Sequence, residues 1–417
     1  MLAIGNSLSF VDRTVLTLLV EPIKADLRIS DTAISLLTGF SFTLFYVLAG
    51  VPVARLADRG SRRNVIAVCM LLWSTMTAAC GLAWNYASLL VARAGTGAGE
   101  GGLSPAAQSM LADYFPKERL PAALGLFSSG IYIGNGLALL VGGAVVAAAT
   151  SAGSVEMPLL GVLRPWQVAF IVVGAPGIVL ALLLFAVTEP PRREGPSAVR
   201  VSRETLWKHF SARRAAYVAL FGAGALLVMH GTASGAWIPA FFARRFHWDT
   251  AQIGTAYGIA VLLLGTSGAL AGGFTANWLR RQGHADANIR TAQLGIGALL
   301  PFAASFALAP NPWVSLALIG AMNFFAGFPF AGMYAALQEL TPNRMRAQIA
   351  ALYVVCINLI GGGCGPTLVA LFTDFVFGDP LRLPHSLAIA AVLTLPLSSL
   401  CLLSLRRSFA GAARAEA

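Results

Sequence analysis

The sequence predicts an all-α membrane protein, with twelve transmembrane helices arranged as two parallel six-helix repeats. Three observations carry this expectation. Hydrophobic residues make up 57% of the chain and charged residues 11%, with a mean hydropathy of +0.73; a soluble domain carries about a quarter charged residues. One long hydrophilic interval, 188–214, divides the apolar stretches six and six. The polar loops after the second and fourth stretches are echoed after the eighth and tenth.

Each apolar stretch is long enough to cross a bilayer. In the amino half the spans are expected at about 2–21, 33–56, 64–83, 87–112, 121–149 and 166–187. Charge interrupts two of them, at Asp12–Arg13 in the first and at Arg93 and Glu100 in the fourth. The fourth also carries Gly95, Gly97, Gly99, Gly101 and Gly102, small residues that let helices approach closely. The interval 188–214 opens on Glu189-Pro190-Pro191-Arg192, which ends the sixth span. In the carboxyl half the spans are expected at about 215–240, 252–279, 291–308, 313–338, 347–374 and 386–405. Gly327 and Pro329 in the tenth, and Gly361, Gly362, Gly363 and Pro366 in the eleventh, are candidate hinges, with static close packing as the alternative. The domains are therefore an amino-terminal bundle over 1–187, a cytoplasmic linker over 188–214, and a carboxyl-terminal bundle with a short tail over 215–417.

Charge sets the orientation. With both termini in the cytosol, the inner loops and tail hold 21 of the 29 Lys and Arg residues. The outer loops hold six, Lys24, Arg28, Arg164, Arg244, Arg245 and Arg382, and the remaining two, Arg13 and Arg93, are intramembrane. This is the positive-inside pattern. Basic loops facing an anionic leaflet account for the net charge of +11, so no nucleic-acid partner is expected. Only three lysines, Lys24, Lys117 and Lys208, stand among abundant Arg and Ala, which points to a GC-rich bacterium and its cytoplasmic membrane. The first span lacks a small-residue cleavage site behind it and reads as a retained helix. It begins almost at residue 1, which leaves room for a short cytoplasmic lead. Cys69, Cys80, Cys356, Cys364 and Cys401 all fall in spans and lack CxxC spacing, so they read as small buried apolar residues.

The loop echoes imply the repeat. Ala54-Arg-Leu-Ala-Asp58-Arg59-Gly60-Ser61-Arg62-Arg63 follows the second span, and Gly273-Phe-Thr-Ala-Asn277-Trp-Leu-Arg280-Arg281 follows the eighth. Leu111-Ala-Asp113-Tyr-Phe-Pro116 with Arg119 follows the fourth; Leu337-Gln-Glu339-Leu-Thr-Pro342 with Arg344 and Arg346 follows the tenth. Matching signals on one side in both halves indicate parallel repeats around a central path.

These motifs resemble the major facilitator superfamily over essentially the whole chain. Asp58-Arg59-x-x-Arg62-Arg63 matches its loop signature, with Ala54 and Ser61 at positions that usually carry glycine. Within the superfamily the chain resembles the Spinster-type lipid transporters. That resemblance rests on Val11-Asp12-Arg13, the Asp58–Arg63 loop, Arg93-x-x-x-Gly97-x-Gly99-Glu100, and Ser104-Pro105-Ala106-Ala107 running into Asp113-Tyr114-Phe115-Pro116. It implies the major facilitator fold, alternating access, proton coupling and a lysolipid or related amphipathic substrate. It also implies that Asp58, Arg59, Arg62 and Arg63 form a cytoplasmic gate, with Asp58 facing the start of the eleventh helix. A topology determinant is the plainer reading of these charges.

Ionisable groups inside a membrane are expensive and mark ion, proton or substrate paths. Asp12 and Glu100 are the expected proton-coupling pair, with Arg13 and Arg93 as counter-charges and head-group ligands. The alternative is a permanently ionised structural set. Arg93 and Glu100, seven residues apart, share a helix face about 10 Å apart along the axis, so Arg93 is the expected partner of Glu100. Arg13 points about 100° away from Asp12 and is free for a second partner or a lipid head group. Protonation of Glu100 would then free Arg93 for an anionic head, with the substrate lying between the halves.

Sixteen of the 24 phenylalanines follow residue 188, including Phe324, Phe325, Phe328 and Phe330 on one span, which suits an acyl tail. His230, the carboxyl half's comparable intramembrane group, reads as a hydrogen-bonded structural histidine.

Gly97-Ala-Gly99-Glu-Gly101-Gly102 fits the dinucleotide pattern by letter but lies mid-span, without the strand and helix start that the motif requires. With no phosphate-binding loop and no metal-ligand spacing, the expected energy source is the proton gradient, without a cofactor. Expected partners are the lipid substrate, protons and membrane lipids, and the expected state is a monomer. The competing functions are a proton-coupled organic-anion porter of the same superfamily and an uncoupled lipid scramblase or receptor. An enzyme is not expected, because the sequence shows no nucleophile–base constellation.

Overall fold

The computed structural model describes residues 1–116, 119–157, 161–192, 203–284, 286–342 and 345–415. Lys117, Arg344 and the stretch 193–202 of the linker lie outside the described residues.

Among the described residues, ten helices are long and apolar enough to cross a membrane, and a bent pair makes eleven. The pair is α1, Leu2–Leu18 followed by Val20–Leu27, with a 56° bend between them. α2 spans Asp31–Arg59, α3 Arg62–Cys80, α5 Leu120–Ala152, α6 Pro165–Leu184 and α7 Arg214–Phe246. α8 spans Thr250–Arg281, α9 Ala287–Leu308, α10 Pro312–Leu340, α11 Gln348–Phe377 and α12 Leu383–Ala415. The fourth expected span, α4, is broken into Tyr86–Glu100 and Leu103–Tyr114 by a turn at Gly101–Gly102, so neither part alone has spanning length. The break fits the crowding there. A Cβ on Gly101 would stand 2.5 Å from the Tyr46 carbonyl oxygen, so α2 passes too close for a side chain.

Local sequence explains the helix starts. Asn85 and Ser88 form a capping box at α4, Asp249 and Gln252 form one at α8, and the Ser61 hydroxyl caps α3. These side chains satisfy N–H groups that have no partner within the helix. α2 and α8, which correspond in the repeat, each contain a π turn, at Leu36–Phe40 and Val261–Gly265. Two differences from the sequence expectation stand out. Val155–Met157 pairs antiparallel with Gly161–Leu163 in the loop before α6, adding a small hairpin to the helical architecture. α12 continues to Ala415, well beyond residue 405, because the Ala-rich tail extends the helix.

By packing, the chain forms two compact units. The first comprises Met1–Pro196, Gly235–Leu262 and Thr373–Leu381; the second comprises Ser197–Ser234, Leu263–Phe372 and Arg382–Ala417. In the first unit α1 packs on α5, α2 on α4, and α3 on both α4 and α6. In the second, α8 packs on α10, and α9 on both α10 and α12. α7 meets α11 where Gly361 and Gly365 press on the α7 backbone. Adding six to each partner in the first unit gives the partners in the second, the packing plan of a parallel repeat.

The candidate hinges sit at tight helix contacts. Gly361 lies in a π turn, Ile357–Gly362, with its Cβ position 2.6 Å from the Ala225 carbonyl oxygen. The Gly327 Cβ position is 2.5 Å from the Ala269 nitrogen, and Pro329 packs on Gly295. Gly363 and Pro366 are buried in the continuation of α11, and Gly362 ends its π turn.

Candidate functional site

The charged cluster forms within the first unit, where α1, α2, α3 and α4 converge. α1 contributes Phe10, Asp12 and Arg13; α2 contributes Phe42 and Tyr46; α3 contributes Trp73 and Thr77; α4 contributes Arg93 and Glu100. Small residues make the convergence possible. A Cβ on Gly97 would stand 2.2 Å from the Phe42 carbonyl oxygen, and one on Gly99 2.6 Å from the Trp73 nitrogen. α4 therefore lies backbone-to-backbone against α2 and α3, with the last residue of its first segment, Glu100, turned into the bundle.

The ion pair differs from the one expected from spacing. Arg13, not Arg93, binds Glu100: its Nε and Nη2 both lie 2.6 Å from Glu100 Oε2. Arg93 donates instead to two backbone carbonyls, Leu37 from Nε at 3.4 Å and Asp12 from Nη1 at 3.3 Å. The reason is axial distance. Seven residues place Arg93 and Glu100 on one face but about two turns apart, whereas α1 crosses α4 level with Glu100 and brings Arg13 alongside. The Arg13 side chain is 28% exposed and that of Glu100 1%. The second Glu100 oxygen, Oε1, is buried without a hydrogen-bond partner among the described residues. Asp12 is buried, with Arg93, Thr77 and Trp73 near its carboxylate.

Aromatic rings surround the pair, a feature that sequence reasoning missed. The Arg13 guanidinium lies 5.0 Å from the Phe10 ring centre, 4.6 Å from Phe42 and 5.0 Å from Tyr46. Arg93 lies 5.3 Å from Phe42, which stacks on Tyr46. Phe42 therefore faces both arginines, and its ring replaces part of their lost hydration. Phe42 and Tyr46 lie four residues apart, one turn of α2, a spacing that reads equally well as lipid-facing apolar surface.

The loop motif divides between two tasks. Arg62 is buried and acts within the bundle. It forms ion pairs with Asp113 at the end of α4 and with Glu189 after α6, the latter at 3.3 Å, and it donates to the Ser109 carbonyl at 3.1 Å. Ser61 also hydrogen-bonds Glu189, and Arg63 donates to the Val187 carbonyl at 3.1 Å. Burial pushes the Glu189 carboxyl up, but hydrogen bonds from the Ser61 hydroxyl and from the Arg62 backbone and guanidinium outweigh it and hold it below its ordinary range. Asp58 and Arg59 are exposed, and the Asp58 carboxylate has no ion pair among the described residues. Arg192 donates to the Ala57, Asp58 and Gly60 carbonyls and closes the end of α2.

The second unit builds the same joints from different charges. Glu339, at the end of α10, accepts from Asn288 at 2.9 Å and Arg280 at 3.1 Å, as Asp113 accepts from Arg62. Asp286, at the start of α9, takes Arg290 and Arg406, each at 2.6 Å. The joint between the start of α3 and the end of α6 thus has arginine first and glutamate second; its counterpart between α9 and α12 has aspartate first and arginine second. Phe324, Phe325 and Phe328 pack on one another, and Phe325 stacks on Phe302. Phe328 is buried while Phe330 is exposed, so the four rings do not share one open wall. His230 is buried with its Nε2 unpartnered, which departs from the expectation of a hydrogen-bonded histidine.

Comparison with known proteins agrees with this architecture. Residues 2–411 match the family model described as Major Facilitator Superfamily. An MFS-type efflux pump of Mycolicibacterium smegmatis is 31% identical over 91% of this chain and 84% of its own. A probable L-galactonate transporter of Escherichia coli is 24% identical over 93% of this chain and 83% of its own. The crystal structure of a bacterial homologue of the human lysosomal transporter Spinster, inward-facing and unoccupied, superposes with a TM-score of 0.83 at 25% identity. That match covers 97% of this chain and 95% of the other.

Proposed function

Since this chain belongs to the Major Facilitator Superfamily and is a multi-pass membrane transporter, not an enzyme, we propose that it is a proton-coupled secondary transporter of an amphipathic lipid, a lysolipid being the leading candidate. The observation that carries this reading is the buried Arg13–Glu100 pair. One carboxylate oxygen holds the guanidinium, and the other is buried and unpartnered. A carboxylate in that state accepts a proton at Oε1 without first breaking another bond. Protonation removes the counter-charge of Arg13, which has the exposure to turn toward a phosphate or carboxylate head group. Binding a proton and binding an anionic head are then linked through one arginine. Asp12 is the second carboxylate in this scheme, and Arg93 braces α1 against α2 and α4. Acyl burial supplies affinity at roughly 0.8 kcal/mol per methylene.

The positive-inside pattern supports both termini and the 188–214 linker in the cytosol of a bacterial inner membrane. The protein works as a monomer, with Asp58 and Arg59 as the cytoplasmic gate and the α10 and α11 glycines as hinges. Proteoliposomes with labelled lysolipid, with and without an imposed pH gradient, test the proposal. Wild type should respond to the gradient, and Glu100→Gln should not. Gradient-independent flux in wild type would instead indicate a scramblase. The second reading, an organic-anion porter, is favoured by the similarity to a probable L-galactonate transporter; competition by a small carboxylate, with none by lysolipid, would select it.

A further inference from the structure

Away from the Arg13–Glu100 site, the first unit contains a second buried ion cluster, built from both sequence halves. Arg244, at the end of α7, grips Asp31 with both terminal nitrogens, at 2.7 and 2.8 Å, and Glu21 with Nε at 2.8 Å. Its side chain is 8% exposed and that of Asp31 is fully buried. Lys24 also pairs with Asp31, the Trp237 ring lies 5.7 Å from the guanidinium, and Arg244 donates to the Pro380 carbonyl at 3.3 Å. Beside it, Asp374 at the end of α11 accepts from both the Thr32 backbone N–H and the Thr32 hydroxyl, each at 2.7 Å. Thr32 lies in the first turn of α2, where N–H groups lack partners and the helix dipole favours an anion.

Glu21, Lys24, Asp31 and Thr32 come from the first half of the sequence; Arg244, Asp374 and Pro380 come from the second. These contacts, together with the close packing of α8 on α5 at Gly254 and Gly143, hold Gly235–Leu262 and Thr373–Leu381 against the amino half. A bidentate arginine–carboxylate pair is among the strongest polar contacts, and separating it exposes two charges that only water can compensate. The arrangement also mirrors the loop at the other end of α2. There Asp58 ends α2 and is expected at the start of α11; here Asp374 ends α11 and sits on the start of α2. In this structure the Asp374 contact is made, while the Asp58 carboxylate has no ion pair among the described residues.

We propose that Arg244, Asp31, Glu21 and the Asp374–Thr32 contact form a releasable latch that closes the non-cytoplasmic end of the transport path. Opening that end requires Arg244 to leave Asp31 and Asp374 to leave Thr32, with the Asp58 gate engaging in exchange. The latch rests on the topology proposed above, and its test separates the two.

In a background lacking the five native cysteines, two single-cysteine probes are treated in intact cells with a membrane-impermeant maleimide. Ala25→Cys, exposed next to Lys24, reports sidedness and should label readily from outside. If it labels only in inside-out vesicles, the topology is wrong. Thr14→Cys, beside Arg13, reports access from outside to the site and should label slowly. Adding Arg244→Ala or Asp374→Asn should speed its labelling by about tenfold, the population shift expected on loss of one state's contacts. Asp374→Asn alters no residue of the buried ion pair and keeps the test decisive if Arg244→Ala fails to fold. Arg244→Lys, which keeps charge but not the fork, should fall between. Unchanged Thr14→Cys labelling in the folded variants, with Ala25→Cys labelling normally, overturns the latch.

Discussion

At the scale of single residues, the site turns on which arginine holds Glu100. Spacing along α4 favours Arg93, but a seven-residue separation is too long for a direct pair, and the choice falls to a residue on another helix. The two arginines therefore have different tasks. Arg13 is the counter-charge of Glu100, while Arg93 ties the Asp12 and Leu37 carbonyls together across α1 and α2. Arg13→Ala should abolish gradient-driven flux, a loss of at least about tenfold, the scale of removing one charge-assisted hydrogen-bond pair. Its thermal midpoint in detergent should change little, because Arg13 is part-exposed. Arg93→Ala should lower the midpoint more, by removing two buried hydrogen bonds that tie α1 and α2 to α4. Flux in proteoliposomes and thermal unfolding of the same preparations measure both. Equal effects on both readouts would mean that the four charges act as one network.

At the scale of helices, the cytoplasmic joints hold each bundle together. Arg62 binds Asp113, Glu189 and the Ser109 carbonyl at once, so Arg62→Ala removes the cation that ties Asp113 to Glu189. Breaking such a buried group costs about 3–5 kcal/mol. Its pH dependence follows from Glu189, which is held below its ordinary range. A carboxyl with a lowered folded-state pKa contributes stability above its unfolded value of about 4.3. That contribution is lost as pH falls through the lower, folded value. The thermal midpoint of wild type should therefore drop on acidification below about pH 4.3, while Glu189→Gln should start lower at neutral pH and fall less steeply. Asp286, held low in the same way by hydrogen bonds from Arg406 and Arg290 that outweigh burial, should behave alike in the second unit. Parallel slopes in wild type, Glu189→Gln and Asp286→Asn would rule out these carboxylates as the source of acid sensitivity.

Much of this helical plan was legible in the sequence, because hydropathy and loop charge follow from the membrane itself. The span starts at Ser61, Asn85 and Asp249 carry cap chemistry that local sequence encodes. Crossing geometry does not reside in local sequence. Asp31 after Ser30 reads as an ordinary helix start, and Arg244-Arg245 as an ordinary flanking charge, yet they meet across 213 residues. Phe42 and Tyr46 look like lipid-facing residues until the backbone approach at Gly97 turns α2 toward the arginines. The gate motif was legible as a motif, but the burial of Arg62 within its own bundle was not, since its partners Asp113 and Glu189 lie at the ends of other helices.

At the scale of the whole molecule, the two repeats share a packing plan and divide the chemistry unequally. The amino half supplies Asp12, Arg13, Arg93 and Glu100; the carboxyl half offers His230, buried, with its Nε2 unpartnered among the described residues. An unpartnered polar nitrogen in an apolar interior has two explanations. It either carries protons in the cycle, or it is a tolerated cost of packing α7. Charge placement decides between them. A proton carrier needs a counter-ion whose pairing changes as it titrates. Glu100 has Arg13 in that role, whereas His230 has no ion-pair partner among the described residues. His230→Asn should therefore keep gradient-driven flux within about twofold of wild type, as expected for a residue whose loss leaves transition-state binding intact. Its pH profile should be unchanged. Glu100→Gln and Asp12→Asn should each flatten that profile, because the carboxylates they remove are the proposed proton carriers. Flux across pH in proteoliposomes, measured for the three variants, separates these roles. A flattened profile in His230→Asn alone would move the coupling site into the carboxyl half and leave the Arg13–Glu100 pair a structural brace.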